Sequence, residues 1–315
     1  AGVLAHPLNR PRFEPGGARL VDGYTVVQPR VEIAPNASER SEFARICAGD
    51  STIDTYSRAV SDVYQDLFAT GIYVGKGIYD VDAFMRTLED RVPQNALASH
   101  DLFEGIHGRA ALATDVVVYE DFPPHYLAYV RRLHRWTRGD WQLLPWLWPK
   151  VPTRSRGHMD TSLGALERWL ILDNLRRSTL APALLAMIVL GWIALPVNPV
   201  VWTFLALGAF LPHDLLDLAV EATRRRPPRE RRGDVPTWPR QSGNQFRRAS
   251  LALVLLPFES WIVADAVVRA LVRMTITHKH LLQWQTASQI AAPVSYTHLR
   301  AHETKANLVC RLLLE

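Results

Sequence analysis

The spacing of apolar residues changes character along the chain, and each change predicts an element. GYTVVQPRVEI (Gly23 to Ile33) alternates and is β-branched, which predicts a strand. Pro29 cannot donate to a ladder, so an edge position or a strand end is expected there. Between Ser57 and Thr70, Val60, Val63, Tyr64, Leu67 and Phe68 recur at three and four positions, an amphipathic helix. GIYVGKGIYDVDAF (Gly71 to Phe84) reads as a short strand, a turn at a glycine-flanked lysine, and a helix capped by Asp80 or Asp82. Pro93 to Ala98 predicts a loop or short strand leading into SHDLFEG (Ser99 to Gly105), with a helix after it. TDVVVYEDFPP (Thr114 to Pro124) predicts a buried strand ending in a loop. Strands alternating with helices imply an α/β layer architecture with a mostly parallel sheet.

From Ser178 the pattern changes. Ser178 to Leu195 is eighteen residues without a charge, and Val197 to Leu211 fifteen more, joined by a turn at Pro196, Asn198 and Pro199. A membrane span needs roughly 20 apolar residues. The first segment suffices, while the second must tilt or extend through His213 and Asp214. Arg176 and Arg177 precede the pair and RRRPPRERR (Arg224 to Arg232) follows it, so both flanks are expected to be cytoplasmic. A buried soluble helical hairpin is the alternative. LALVLLPFESWIVADAVVRALVRM (Leu251 to Met274) is apolar but carries Glu259, Asp265 and Arg269. It reads as an interfacial or re-entrant helix, with a third span as the alternative.

Charge refines this picture. The chain has 315 residues, enough for one large domain or two ordinary ones, and a formal charge of +5 from 36 Lys plus Arg against 31 Asp plus Glu. The positives cluster at 131–138, 154–156, 176–177 and 224–232, which fits anionic lipid or a phosphorylated substrate better than a duplex. Nucleic acid is not an expected partner, because the 224–232 run lacks interleaved aromatics for base stacking. Cys47 and Cys310 are too few for a disulfide framework or a four-cysteine metal site, and no signal peptide is visible. The chain opens without methionine, and it is expected to be a fragment.

Two stretches carry candidate chemistry. RRLHRWTRGDWQLLPW (Arg131 to Trp146) packs four arginines, His134 and three tryptophans into sixteen residues. Guanidinium groups hold phosphates and indoles cover sugar faces, so the cluster fits a sugar-phosphate site; an amphipathic helix on a membrane has the same composition. In SHDLFEG, an acid where a strand runs into a helix can project from the carboxyl edge of a parallel sheet, where ligands bind. Asp101 and Glu104 are candidate general bases, with His100 adjacent, and helix capping is the competing role for Asp101.

The order of these stretches resembles membrane-bound processive glycosyltransferases, in which Thr-Glu-Asp is followed by Gln-x-x-Arg-Trp and membrane helices. Ser99-His100-Asp101 resembles the first motif, and Arg132 to Trp136 the second, with Arg132 where glutamine is usual. HPLNRP, VQPRV, SRAVSDVYQDLF, GKGIYDVDAF, SHDLFEG, HRWTRGDWQLLPW, DNLRRS and HLLQW resemble the glycosyltransferase segment of cyclic β-1,2-glucan synthases, from His6 to Trp284. The resemblance implies an α/β fold, the C-terminal part of a Rossmann-like glycosyltransferase A-type domain, followed by an α-helical membrane region. It implies inverting transfer of glucose from UDP-glucose to a growing β-glucan acceptor at the inner face of the bacterial inner membrane, with the catalytic domain cytoplasmic. Asp101 would be the base, Arg135 with Arg132 would neutralise the leaving diphosphate, and Trp136 would stack on the acceptor sugar. His100, Glu104, Lys76 and Trp141 are weaker substrate-site candidates, as is Tyr79; His158, Trp169 and Trp192 are expected to be core or interfacial, and Trp146 and Trp148 to meet lipid. Another membrane polysaccharide synthase, or a non-catalytic membrane scaffold, are the competing readings.

Two further expectations follow from the resemblance and a third from the tail of the chain itself. The family's Asp-x-Asp strand, which holds UDP and a divalent metal such as Mg²⁺ or Mn²⁺, lies before a segment like AHPLNRP and so before Ala1; no metal ligand is named in this chain, which is expected to be inactive alone. A phosphorylase-like domain is expected elsewhere in the full-length protein. VSYTHLRAHETKANLVCRLLLE (Val294 to Glu315) back-translates as one uninterrupted reading of a transposon-type sequencing-library adaptor, an ordinary C-terminal helix being the alternative. Without that tail the formal charge falls from +5 to +4. The division expected is 1–150 for the acceptor and base half of the catalytic domain and 151–177 for an interfacial helix and connector. A transmembrane hairpin (178–219), a basic cytoplasmic loop (220–249), an interfacial or third membrane helix (250–293) and the adaptor tail (294–315) complete it.

Overall fold

The computed structural model describes residues 2–48, 61–93, 95–154, 157–209 and 238–283, the side chains of 61, 62 and 238–246 excepted. Val60, the basic run at 224–232, Trp284 and the 294–315 tail lie outside the described residues. Strand β1 (Arg12–Phe13) pairs antiparallel with β2 (Leu20–Asp22). A three-stranded mixed sheet follows, ordered β4-β3-β5, from β3 (Val26–Ile33), β4 (Ile78–Tyr79) and β5 (Ala110–Glu120). β3 runs antiparallel to β4 and parallel to β5. A last hairpin joins β6 (Lys150–Pro152) to β7 (His158–Asp160). Short helices α1 (Gly2–Ala5), α2 (Pro35–Ser38), α3 (Glu42–Cys47), α4 (Ser61–Phe68) and α5 (Val81–Leu88) flank the sheet, with α6 (Asp101–Gly108) leading into β5. This is a mixed helix and sheet architecture, compatible with an α/β fold.

β3 is the middle strand, but β4 pairs with it only at Val26 and Val27, so at Pro29 the ladder has β5 alone on one side. The pairing of β3 with β5 shifts register between Pro29 and Arg30, where Pro29 faces Ala113 and Arg30 faces Val117, so the missing N–H coincides with a break in the ladder. The buried part of β5 is also displaced from the expected one: Ala110 to Ala113 are buried, whereas Val116 is exposed. Small alanines let β5 lie close beside the buried Val26 and Val27, while Val117 and Val118, past the register shift, pair with Arg30 and Val31 and are only half-buried. The strand expected at the start of Gly71 to Phe84 falls after the lysine turn, as β4, and Asp80 caps α5 by accepting from Ala83 N at 3.1 Å.

Five further helices follow among the described residues. α7 (Tyr126–Gln142) follows Pro123 and Pro124 and ends where Pro145 starts a 3₁₀ turn, Leu144–Leu147. Helix α8 (Ala165–Ser178) meets α9 (Leu180–Ile193) at a 50° bend, and α9 turns through Pro196 into α10 (Pro199–Gly208). Asn198 caps α10 by accepting from Val200 N at 3.0 Å, and Trp202 Nε1 donates to Pro196 O at 2.8 Å, which fixes the turn. Helix α11 (Trp238–Val272) continues into a π-helical turn, Arg273–Thr277. Among the described residues, Arg247–Thr277 is the one helix long and apolar enough to cross a membrane, and α8 with α9 passes the same test as a bent pair.

The main core joins the two ends of the candidate site. Leu97, Phe103, Leu143, Trp146, Val151, Leu163, Ile171 and Leu175 pack together. Trp146 stands edge-on to Phe103 with ring centroids 5.1 Å apart and is 2% exposed, so it meets this core and not lipid; Trp148 is exposed. Sequence composition alone cannot separate them, because Trp146 lies inside the 3₁₀ turn and Trp148 is the extended residue that ends it.

Candidate functional site

The acidic loop and the Arg/Trp helix are pressed together. Gly139 of α7 lies so close to Ser99 that a Cβ there would overlap the serine Cβ, and Gln142, one turn on, accepts from Ala98 N at 2.7 Å. Glycine is used here for close approach, and the Gln142 side chain, 1% exposed, satisfies a backbone donor that the loop leaves unpaired. Gln142 also donates to Leu281 O at 3.1 Å, and Arg138 donates to Gln283 O, which holds the segment after α11 on the same helix.

Asp101 is the first residue of α6, after His100 in the cap position, which makes no side-chain capping bond. It is therefore not the N-cap, and its carboxylate is free to face the Gly75–Gly77 loop. Gly75, at φ +80°, lies where a Cβ would meet Asp101 Oδ1 at 2.7 Å; a side chain there would both strain the backbone and strike the carboxylate. His100 Nδ1 lies 2.8 Å from Glu104 Oε1 and 3.8 Å from Asp101 Oδ1. The Glu104 hydrogen bond holds the His100 imidazole above its usual pKa. Burial raises the Asp101 carboxyl above the ordinary range, opposed by the positive charges of His100, Lys76 and Arg135 and reinforced by Glu104. Asp101 thus has raised basicity, with three cationic groups within electrostatic reach.

The cations converge from two elements. Lys76 Nζ is 2.8 Å from Glu120 Oε2, and Arg132 Nη2 is 3.5 Å from Glu120 Oε1. The Arg132 guanidinium lies over the Trp136 ring, 4.3 Å from its centroid. Tyr79 bonds Tyr73 through their hydroxyls, and both phenols feel the charge of Glu104 and Asp101. Trp141 is placed differently: its Nε1 donates to Ser178 Oγ at 3.0 Å and its ring packs against the main core. Asp101, His100, Glu104, Lys76, Arg132, Arg135 and Trp136 are therefore gathered in one region, and Trp141 braces α7 against α8. His158 is exposed, as are Trp169 and Trp192, which donate to Tyr64 Oη and Thr203 Oγ1.

Three residues of the region were missed from sequence. Glu120 ends β5, and its signal was an acid closing an apolar strand just before Pro123-Pro124. Asp140 neighbours the close-approach Gly139; burial pushes its carboxyl up to about 7, helped by the charge of Asp101 and opposed by the Asn174 amide, which donates to it at 3.4 Å. Gln142 has no signal beyond its place on a helix. For a divalent metal the fit is absent: among the described residues no three His, Cys, Asp or Glu side chains are grouped to hold one.

Fold and site together define a mixed α/β layer whose acidic loop faces an Arg/Trp helix, continued by apolar helices. Over 292 residues, 92% of its length, the chain is 39% identical to the cyclic beta-(1,2)-glucan synthase NdvB of Rhizobium meliloti (strain 1021), so it is homologous to a segment of such a synthase. It spans 10% of the length of that protein. No family model matches the sequence.

Proposed function

We propose that this chain forms the acceptor and base half of a glycosyltransferase site that builds cyclic β-1,2-glucan from UDP-glucose. The carrying observation is the contact of the two motifs, Ser99 against Gly139 and Ala98 bonded to Gln142, with Asp101 in electrostatic reach of Lys76 and Arg135. In this reading a hydroxyl of the growing glucan attacks the anomeric carbon of the donor glucose, and Asp101 takes its proton. The bond from that carbon to the diphosphate oxygen breaks, the electron pair leaves with the diphosphate, and the carbon inverts. The hydroxyl becomes acidic only as it attacks, so a carboxylate of modestly raised basicity suffices. Arg135 and Arg132 offset the charge gathering on the leaving group, and Trp136 supplies an apolar face for the acceptor ring.

The apolar helices fit a bacterial inner-membrane setting with the site on the cytoplasmic side and anionic lipids beside the basic flanks. Exposed Trp192, Ile193, Phe204 and Trp261 support lipid contact by α9, α10 and α11. A divalent metal and a phosphorylase-like domain belong to this proposal only as parts of a longer protein. In the full-length synthase, Asp101→Asn is expected to lower glucan synthesis by at least about a hundredfold while membrane insertion is unchanged, the usual range for losing a general base. Retained synthesis in that variant would remove Asp101 from the mechanism.

A further inference from the structure

Glu120 sits at the carboxyl end of the parallel pair β3 and β5, the edge at which open α/β sheets receive ligands. Its backbone is fixed there, with Ala34 N donating to Glu120 O at 2.9 Å. Its two carboxylate oxygens are divided between two cations from separate elements, Lys76 of the glycine loop at 2.8 Å and Arg132 of α7 at 3.5 Å. The same Arg132 covers Trp136, and the loop of Lys76 is the one pressed on Asp101. One carboxylate, carrying one negative charge, thus bridges the base loop and the helix assigned to the leaving group.

From this arrangement we infer that Glu120 is an internal competitor for the substrate diphosphate: it holds Lys76 and Arg132 in place, yields them to the incoming diphosphate, and takes them back as UDP leaves. The inference rests on the glycosyl-transfer reading above and adds to it a residue that limits product retention. A diphosphate brings more charge and more acceptor oxygens than a carboxylate, so it displaces Glu120 at two partly exposed cations. A carboxylate left beside them weakens the hold on UDP by a moderate factor, since the Lys76 pair is partly screened by water and the Arg132 contact is long at 3.5 Å. Glu120 acts through the two cations and is a positioning residue.

The test is product inhibition of the full-length synthase in membranes, with labelled UDP-glucose as donor and added UDP as probe. Glu120→Gln is expected to lower the UDP concentration for half-inhibition by about three- to tenfold. Glu120→Asp, which keeps the charge but shortens the reach to Arg132, should shift it in the same direction by less, and serves where the glutamine variant fails to insert. Lys76→Met should raise it. A purely structural ion pair would change the amount of inserted enzyme and leave UDP inhibition per enzyme unaltered. If UDP inhibits the wild type and Lys76→Met weakens that inhibition, but both Glu120 variants match the wild type, the Glu120 proposal falls and the transfer reading stands. A wild type indifferent to UDP would remove both.

Discussion

The sheet-bearing half and the helical half put their apolar residues on opposite sides. In the first, Val26, Phe103 and Trp146 are 0%, 1% and 2% exposed, and the charged groups of the site stand around that core. In the second, Ile193, Phe204 and Trp261 are 77%, 69% and 69% exposed, and the packed interior is a thin seam of Leu184, Ala206 and Leu256. Burial from water therefore holds the site together in one half. In the other it leaves a wide outward apolar face, which calls for a partner such as lipid. The same residue type carries different meaning in each half, and tryptophan shows it best.

Trp146 and Trp136 break the comparison most sharply. Trp146→Ala removes a ring packed on Phe103 and is expected to cost about 3–5 kcal/mol in unfolding of the detergent-solubilised chain. Trp136 is half-buried under Arg132, so Trp136→Ala should cost about 1 kcal/mol or less while abolishing synthesis in the full-length enzyme. Equal destabilisation by both would erase the distinction between core and substrate tryptophan.

Asp140 comes next, and its sign runs against the usual acid. Its folded pKa of about 7 lies above the ordinary 3.8, so between those values the folded chain binds more protons than the unfolded one. Stability should fall as pH rises through that window, by on the order of a few kcal/mol, and level off above it. Asp140→Asn keeps an acceptor for Asn174 and carries no charge, so its unfolding midpoint should vary much less between pH 5 and 8. Parallel pH profiles for the two chains would contradict the burial of this carboxyl.

The outward face predicts a smaller effect with a different readout. Phe204→Ser or Trp261→Ser should change unfolding in detergent by no more than about 0.5 kcal/mol, as for other exposed sites. Each should weaken flotation with anionic liposomes by roughly 1–2 kcal/mol, the value of a partly inserted aromatic ring. Unchanged flotation would mean that this face meets something other than lipid.

How far the sequence was legible follows the same division. Period and turn chemistry located β3, the Asp80 cap and the turn at Pro196 to Pro199, because those signals are local. The resemblance carried by Ser99-His100-Asp101 and Arg132 to Trp136 pointed to two segments that the fold brings into contact, Ser99 against Gly139 and Ala98 on Gln142. The parts not legible depended on pairing between distant segments. The register shift beside Pro29 and the roles of Glu120, Gln142 and Gly139 exist only once β3, β5, α6 and α7 are brought together. The buried Trp146 was missed for the same reason, since its partner Phe103 lies on α6.

The joint between the halves gives the finest test. His134 of α7 meets Asp265 of α11 at 2.9 Å, and Asp265 is also held by Arg269 at 2.6 Å within its own helix. Removing His134 leaves Asp265 paired, so His134→Ala should loosen the contact by only about 1 kcal/mol. Burial lowers the His134 pKa below the usual 6.5, and the Asp265 hydrogen bond pulls the other way without overcoming it. The neutral imidazole is thus the form that packs. Stability from this residue is present above pH 6.5 and is lost as pH falls from there through its lower folded value. Hydrogen exchange along Tyr126–Gln142 should accordingly quicken on acidification beyond the intrinsic pH trend in the wild type, and His134→Ala should show less of that change. Equal acid sensitivity in both would place the titrating group elsewhere and leave α7 and α11 joined by apolar contacts such as Phe258 on Tyr126, whose ring centroids are 6.1 Å apart.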